Sequence, residues 1–240
     1  MFKYIPLLLI PFLLAGCGRQ DQNNPEQVNV NQQQEISDNS MISGYPEGAE
    51  VYTVNLIDSS VDWYCRRILV DTNNHHGGIN IKEGTIAYLD DQFVGAEFVM
   101  DMASIVDYDL SGKMKETLEK HIKSADFFNV EAYPTAVFKA TKIEPNPDAL
   151  DSRTNFVITG DLTIKDVTKE ISFPAIVNKT EEKITAQAEF SVNRTEWGVV
   201  YGSGGFFDNL GNSVIDDMIR YEINLVAEAG CSVEADVCGL

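Results

Sequence analysis

The sequence is poor in basic residues, and this shortage excludes several classes of partner. Lysine and arginine number 18 against 37 aspartates and glutamates, which gives a formal net charge of −19 over 240 residues. A surface with that surplus of negative charge repels phosphate backbones and anionic headgroups. We therefore expect no nucleic-acid partner.

Histidine is scarce too, with three residues, and catalytic motifs are missing. His75 and His76 are adjacent, so on a strand they point to opposite faces and do not easily bind one metal ion. YGSGGFF (201–207) lacks the GxSxG spacing, and there is no dinucleotide motif or calcium loop. We expect no enzyme, no catalytic residues, no metal site and no obligatory cofactor. An enzyme or metal-stress protein acting through the histidines is the least favoured alternative.

Long hydrophobic runs are also missing. The apolar run over residues 5–14 is shorter than the roughly 20 residues that cross a bilayer. It follows Lys3 and ends in LLAGC at Cys17, the cleavage pattern of a bacterial lipoprotein signal peptide. We expect removal of residues 1–16 and lipid on Cys17, which anchors an exported protein in the bacterial cell envelope. An ordinary signal peptide cut before an incidental cysteine is the alternative.

The residue after the acylated Cys17 is Gly18 and not an aspartate. In a Gram-negative cell we therefore expect the protein to be held on the periplasmic side of the outer membrane.

Three further cysteines remain: Cys65, Cys231 and Cys238. Exported proteins can keep disulfides, and we favour a Cys231–Cys238 bridge with Cys65 as a buried thiol. A bridge from Cys65 to either tail cysteine is the competing arrangement.

Composition divides the mature chain into three segments. Residues 17–48 are rich in asparagine, glutamine, serine and proline, which is typical of a flexible tether with a reach of roughly 30 Å. Residues 49–228 form the expected folded domain, and residues 229–240 form a tail with two cysteines.

Alternation with a period of two predicts eight antiparallel strands in the domain. The runs are 51–57, 79–89, 92–102, 135–143, 155–165, 169–177, 183–192 and 219–227. The expected fold class is therefore all-β, a barrel or a sandwich. Residues 111–129 break the pattern, because Met114, Leu118 and Ile122 recur at helical spacing. We expect one inserted amphipathic helix that covers an end of the barrel, with His121 at its junction with the next loop and a second short turn that starts at Phe127 and Phe128.

Four sequence blocks resemble one known family. HIKSADFFNVEAYPTAVFKAT (121–141) is similar to the HLxSxDFFdvxxyPxaxF pattern of the YceI-like, or polyisoprenoid-binding, lipocalin-like family. GDLTIKDVTKEISF (160–173) resembles that family's GdLTikGVTkpvtl strand–turn–strand, with Asp166 where glycine is usual. HHGGINIKEGTI (75–86) and FVMDMASIVD (98–107) match two further patterns in the right order. The resemblance implies an eight-stranded, extended lipocalin-like barrel whose tunnel holds an isoprenoid or other long amphiphilic chain.

The interior of an eight-stranded barrel is either filled by side chains or holds one slim ligand. Small residues of the strands leave volume in the interior if they face inward, and leave none if they lie on the outer face. The small residues in question are Gly95, Ala96, Ala136, Gly160, Ala186 and Ala188. The residues expected to contact an apolar ligand are Trp63, Ile79, Phe98, Met100, Leu118, Phe127, Phe138, Phe156, Leu162, Phe190 and Trp197. For Trp197, which follows Arg194 closely, a structural corner is favoured over ligand contact.

These observations predict a membrane-anchored carrier or reservoir for an isoprenoid or similar long-chain lipid. Its expected partners are the apolar ligand and the membrane that holds its lipid anchor. A structural or interaction lipoprotein with a filled barrel and no ligand is the alternative.

Overall fold

The computed structural model describes residues 44–68, 74–148 and 153–230. The expected signal peptide, the acylation site at Cys17, most of the tether, and Cys231 and Cys238 lie outside these residues. Among the described residues, no helix is both long and apolar enough to cross a membrane.

Nine strands and one α-helix make up the described domain. The strands are β1 (Glu50–Val54), β2 (Ser60–Arg66), β3 (Asn74–Leu89), β4 (Gln92–Asp107), β5 (Thr135–Pro145), β6 (Phe156–Ile164), β7 (Val167–Lys179), β8 (Lys183–Asn193) and β9 (Met218–Ala229). The helix α1 (Gly112–Lys123) lies between β4 and β5. All strand pairs are antiparallel, which confirms the all-β prediction.

The sheet closes into a barrel with eight positions. The strand order β3-β2-β9-β8-β7-β6-β5-β4 returns to β3, because β3 and β4 pair with each other. The short strands β1 and β2 both lie between β3 and β9, and they share one position. Thr53 of β1 pairs with Thr85 and Glu228, whereas Trp63 of β2 pairs with Gly77 and Tyr221. Nine strands therefore form the predicted eight-stranded barrel.

A tight turn separates β1 from β2 and explains why the sequence pattern missed β2. The predicted strand over 51–57 ends at Val54, because the Asn55 side chain accepts hydrogen bonds from the backbone N–H groups of Ile57 and Asp58. This local side-chain bonding competes with strand pairing. The chain resumes the barrel wall at Ser60.

Two hairpins turn through pairs of residues with positive φ. Lys165 and Asp166 have φ values of 51° and 61° between β6 and β7, and Asp90 and Asp91 have 49° and 61° between β3 and β4. Such pairs are typical of two-residue hairpin turns. The expectation that Asp166 tolerates positive φ in place of glycine is confirmed.

The helix is shorter than predicted. The helical spacing within 111–129 extends to Ala125, but α1 ends at Lys123, because the backbone N–H and the hydroxyl of Ser124 both donate to the His121 carbonyl. Met114, expected on the apolar face, is 69% exposed, whereas Ile122 is buried. Phe127 and Phe128 in the following turns are also buried, so the end of α1 and these turns cover one end of the barrel.

The interior contains two apolar cores, one towards each end of the barrel. The helix-side core consists of Trp63, Ile79, Met102, Ile105, Ile122, Phe127, Phe128, Val130, Ala136, Ile164, Val192, Trp197, Val199 and Ile219. The distal core consists of Tyr52, Val54, Val61, Ile81, Ile86, Tyr88, Ala96, Ala140, Ala175, Val177, Ile184, Leu225 and Ala227.

Candidate functional site

The barrel contains an apolar cavity of about 150 Å³, here called the distal cavity. All eight barrel positions contribute side chains to its lining, most of them from the distal core or packed against it. The side-chain hydroxyls among the described lining residues are those of Tyr88 and Tyr221. Burial raises the pKa of both phenols, so each stays neutral and the lining carries no charge.

Strand β8 shows how alternation builds this cavity. Ala186, Ala188 and Phe190 line it, while Gln187 and Glu189 between them are exposed. Successive strand residues point to opposite faces, so a period of two in the sequence becomes one apolar and one solvated surface. The apolar surface here includes two alanines, which leave volume.

Four of the predicted small residues line the distal cavity: Ala96, Ala136, Ala186 and Ala188. The other two do not. A Cβ on Gly95 would lie 3.1 Å from Cε1 of Tyr45, and a Cβ on Gly160 would lie 2.3 Å from the carbonyl oxygen of Lys139. These glycines allow close approach of neighbouring groups and are not part of the lining.

Five aromatic rings form a continuous arc across the interior, here called the aromatic belt. Its members are Phe98, Phe138, Phe173, Phe190 and Tyr221, and successive ring centroids are 6.5, 5.6, 4.2 and 5.9 Å apart. These spacings lie in or near the range of favourable aromatic pairs. Every belt residue lines the distal cavity.

The belt crosses β6, which contributes no ring to it. At that point β6 has Gly160, and a Cβ there would lie 2.8 Å from Cζ of Phe138. The missing side chain allows Phe138 on β5 to meet Phe173 on β7. Gly160 is therefore needed for the continuity of the belt.

A second cavity of about 190 Å³, the helix-side cavity, lies beneath the end of α1. It shares Ile79, Phe128 and Tyr221 with the distal cavity, so these side chains stand between the two. Its lining differs because it includes basic side chains; these are Arg66, Arg67, His75 and His121. The His121 ring packs edge-on against Tyr201 at 4.5 Å.

The predicted contact residues divide into three groups. Those lining the distal cavity are Ile79, Phe98, Met100, Phe138, Leu162 and Phe190. Those lining the helix-side cavity, besides Ile79, are Trp63, Leu118 and Phe127. Phe156 and Trp197 line neither cavity: Phe156 packs beside the distal core, and Trp197 is 2% exposed. Contact with a ligand stays a prediction for all of them.

Sequence reasoning missed three residues at central positions: Phe128, Phe173 and Tyr221. Phe173 and Tyr221 occupy inward positions of the runs predicted as strands, so alternation alone contained the signal. Phe128 lies in the short turn that was predicted to follow the helix, and its packing into the interior was not predicted.

The region around Trp197 is the structural corner that the sequence favoured. Arg194 is buried, and its guanidinium donates to the carbonyls of Val199 (2.6 Å), Asp216 (3.0 Å) and Ile215 (3.3 Å). It also donates to Oδ1 of Asp217 at 3.1 Å. Trp197 Nε1 donates to the Leu162 carbonyl at 3.0 Å. These bonds hold the chain after β8 against β9 and β6.

Cys65 is a free thiol within the described part of the chain. Burial raises its pKa to about 11, so the thiol is protonated and unreactive at neutral pH.

Comparison with known proteins agrees with this geometry. The family model described as YceI-like domain matches residues 52–227. Protein YceI of Escherichia coli O157:H7 is 44% identical over 57 residues, which are 24% of this chain and 27% of that protein. This chain thus matches about a quarter of the length of that curated relative.

Two solved structures share the fold. BcnA of Burkholderia cenocepacia has a TM-score of 0.55 and 23% identity, over 72% of this chain and 98% of BcnA. A polyisoprenoid binding domain from Saccharophagus degradans has a TM-score of 0.52 and 12% identity, over 75% of this chain and 98% of that domain. At these identities the likeness concerns the fold alone.

Proposed function

Because this chain belongs to the YceI-like family, we propose that it is a binding protein whose barrel holds an isoprenoid or a similar long-chain lipid. The observation that carries the proposal is the distal cavity, whose lining is apolar from all eight barrel positions. One solved neighbour is itself named as a polyisoprenoid binding domain.

Apolar burial alone supplies enough affinity for such a ligand. Burying one five-carbon isoprene unit contributes roughly 3–4 kcal/mol before the costs of binding. Tight binding therefore needs no charged or catalytic group, and the neutral lining of the distal cavity suits a hydrocarbon chain.

Binding of a long chain requires the interior to rearrange. An apolar cavity of about 150 Å³ accepts a molecule the size of benzene, and several isoprene units need more room. Phe128 and Tyr221 separate the distal cavity from the helix-side cavity. Rotation of these two side chains joins the cavities into one longer channel. A polar headgroup then lies beside the basic side chains of the helix-side cavity.

The N-terminal segment supports a role at a membrane. Lipid on Cys17 and a tether with a reach of roughly 30 Å keep the barrel near the bilayer that supplies a water-insoluble ligand. One acyl chain binds a bilayer only marginally, whereas several chains hold firmly. A carrier or reservoir in the bacterial envelope is the role that fits these features.

Native mass spectrometry of the full chain purified in mild detergent tests the proposal. We expect a bound prenyl or acyl lipid in the wild type and its loss in the double variant A186L/A188L, whose larger side chains fill the distal cavity. The matched control is Gln187→Leu, which places leucine on the outer face of the same strand and leaves the bound lipid in place.

Two results would contradict the proposal. One is a wild-type protein that repeatedly carries no lipid and takes up none from vesicles. The other is equal lipid loading in A186L/A188L and in the control. Either result favours the alternative, a structural or interaction protein with a filled barrel.

A further inference from the structure

Three side chains of metal-ligating types converge beside the end of β4. They are His75 near the start of β3, Asp107 at the end of β4 and Asp109 in the connection to α1. Nδ1 of His75 lies 2.9 Å from Oδ2 of Asp109 and 3.7 Å from Oδ2 of Asp107. One ligand atom from each of the three lies within 4.8 Å of the others.

Asp107 is the unusual member of the cluster, because its carboxylate is fully buried and only one of its two oxygens accepts a hydrogen bond. Oδ1 accepts a hydrogen bond from the Leu110 backbone N–H at 2.7 Å. Oδ2 has no hydrogen-bond partner among the described residues, and it faces His75. Buried polar atoms are nearly always paired, so this oxygen is satisfied either by a proton shared with the neighbouring Asp109 carboxylate or by a bound cation.

Asp109 is held in place from the other side. Its Oδ1 accepts from the His76 backbone N–H at 3.0 Å, and its Oδ2 is 2.9 Å from Nδ1 of His75. Although burial acts against it, these hydrogen bonds keep the pKa of Asp109 below its usual value. Burial raises the pKa of Asp107, whose carboxylate faces that of Asp109.

We propose that His75, Asp107 and Asp109 bind a divalent first-row transition-metal ion, with Zn²⁺ as the representative case. One imidazole and two carboxylates are a ligand set that suits zinc, and water completes a tetrahedral site. Ligand atoms about 2.0–2.2 Å from such an ion lie roughly 3.3–3.6 Å apart. The separations of 2.9 and 3.7 Å from Nδ1 of His75 lie on either side of that range, and all three ligand atoms lie within 4.8 Å of one another, so binding requires the side chains to adjust around the ion.

Backbone groups around the cluster already orient two of the three proposed ligands by hydrogen bonds. Backbone N–H groups of Leu110 and His76 hold the outer oxygens of the two aspartates, which orients the inner oxygens. Outer partners of this kind fix the ligands of known metal sites. Magnesium and calcium fit less well, because they prefer six or more oxygen ligands.

A metal ion here would tie the cap of the barrel to its wall. The site joins the start of β3 to the β4–α1 connection, and the Asp107 backbone N–H donates to Oε1 of Glu119 on α1 at 3.0 Å. His75 also lines the helix-side cavity. The ion would thus stabilise the position of α1 over the barrel end, whether or not the barrel binds lipid.

Isothermal titration of the full chain with ZnCl₂ tests this site, using protein without a polyhistidine tag after removal of metal by EDTA. We expect one equivalent of zinc bound by the wild type. Loss of outer supports alone costs 10–100-fold in metal affinity, so His75→Gln and Asp109→Asn should each weaken binding by more than about 100-fold. His121→Ala removes a histidine outside the cluster and should bind as the wild type does.

Cobalt distinguishes this site from the cysteines. Titration with CoCl₂ should give visible absorption of a nitrogen- and oxygen-ligated ion, without a thiolate charge-transfer band, and the absorption should disappear in His75→Gln. Asp109→Asn alters a partly exposed residue, and circular dichroism checks that both variants are folded. Absence of zinc binding, or binding unchanged in both folded variants, would overturn the proposal.

Discussion

The two cavities of the barrel differ both in the elements that line them and in the side chains that surround them. The distal cavity is lined from all eight barrel positions, whereas the helix-side cavity is lined from β2, β3, β4, β9, α1 and connecting segments. The distal cavity has alanines and an aromatic belt, and its lining is uncharged. The helix-side cavity is bordered by Trp63, Phe127 and basic side chains under α1. The distal part of the interior therefore suits an uncharged hydrocarbon chain, whereas the helix-side part places basic groups beside an apolar cavity.

Removal of a large side chain from the helix-side core should have the largest effect on the free energy of unfolding. Trp197→Ala deletes a side chain that is 2% exposed and leaves the Leu162 carbonyl without its donor. We expect the free energy of unfolding, measured by urea denaturation, to fall by about 3–5 kcal/mol. The control is Phe206→Ala, because Phe206 is 59% exposed and its loss should cost less than about 1 kcal/mol. Equal effects of the two variants would contradict close packing around Trp197.

Interruption of the aromatic belt should have an intermediate effect on the free energy of unfolding. In Gly160→Ala the new methyl group meets the Lys139 carbonyl and the Phe138 ring, which forces the strands to shift. We expect a loss of about 1–3 kcal/mol in the free energy of unfolding. Gly204→Ala is the matched control, since its nearest neighbour would be at 3.4 Å, and it should change stability by less than about 0.5 kcal/mol. A neutral Gly160→Ala would show that the belt needs no glycine.

Filling the distal cavity should have the smallest effect on stability. Ala188→Leu adds apolar volume beside the aromatic belt, where the cavity offers room. We expect the free energy of unfolding in the absence of added lipid to change by less than about 1.5 kcal/mol. A loss as large as that in Trp197→Ala would indicate that the distal cavity has no room for the leucine side chain.

The sequence predicted the strands better than it predicted the ends of elements. Alternation in β8 identified inward residues such as Phe190, because a half-buried strand must alternate. The Asn55 turn and the Ser124 cap, which end β1 and α1, depend on single hydrogen bonds that hydrophobic periodicity does not contain. This is why β2 was missed and the end of the helix was predicted too late.

The lining of the distal cavity was predicted only in part, because alternation identifies strand residues and not residues in turns. Inward residues such as Phe138 and Phe190 follow from alternation, whereas the lining role of Phe128 depends on how the turns after α1 fold back. The His75–Asp107–Asp109 cluster was not visible at all. His75 and Asp109 are 34 residues apart in the sequence, and their approach depends on the pairing of β3 with an irregular stretch of β4.

Photo-crosslinking tests the central claim, that the distal cavity holds the lipid, most directly. The full chain is incubated with a diazirine-bearing isoprenoid, irradiated and mapped by tandem mass spectrometry. The account predicts adducts at inward positions of β5, β7 and β8, such as Phe138, Phe173 and Ala188, and none at the outward Gln187. Adducts confined to exposed residues such as Phe206 and Phe207 would contradict it.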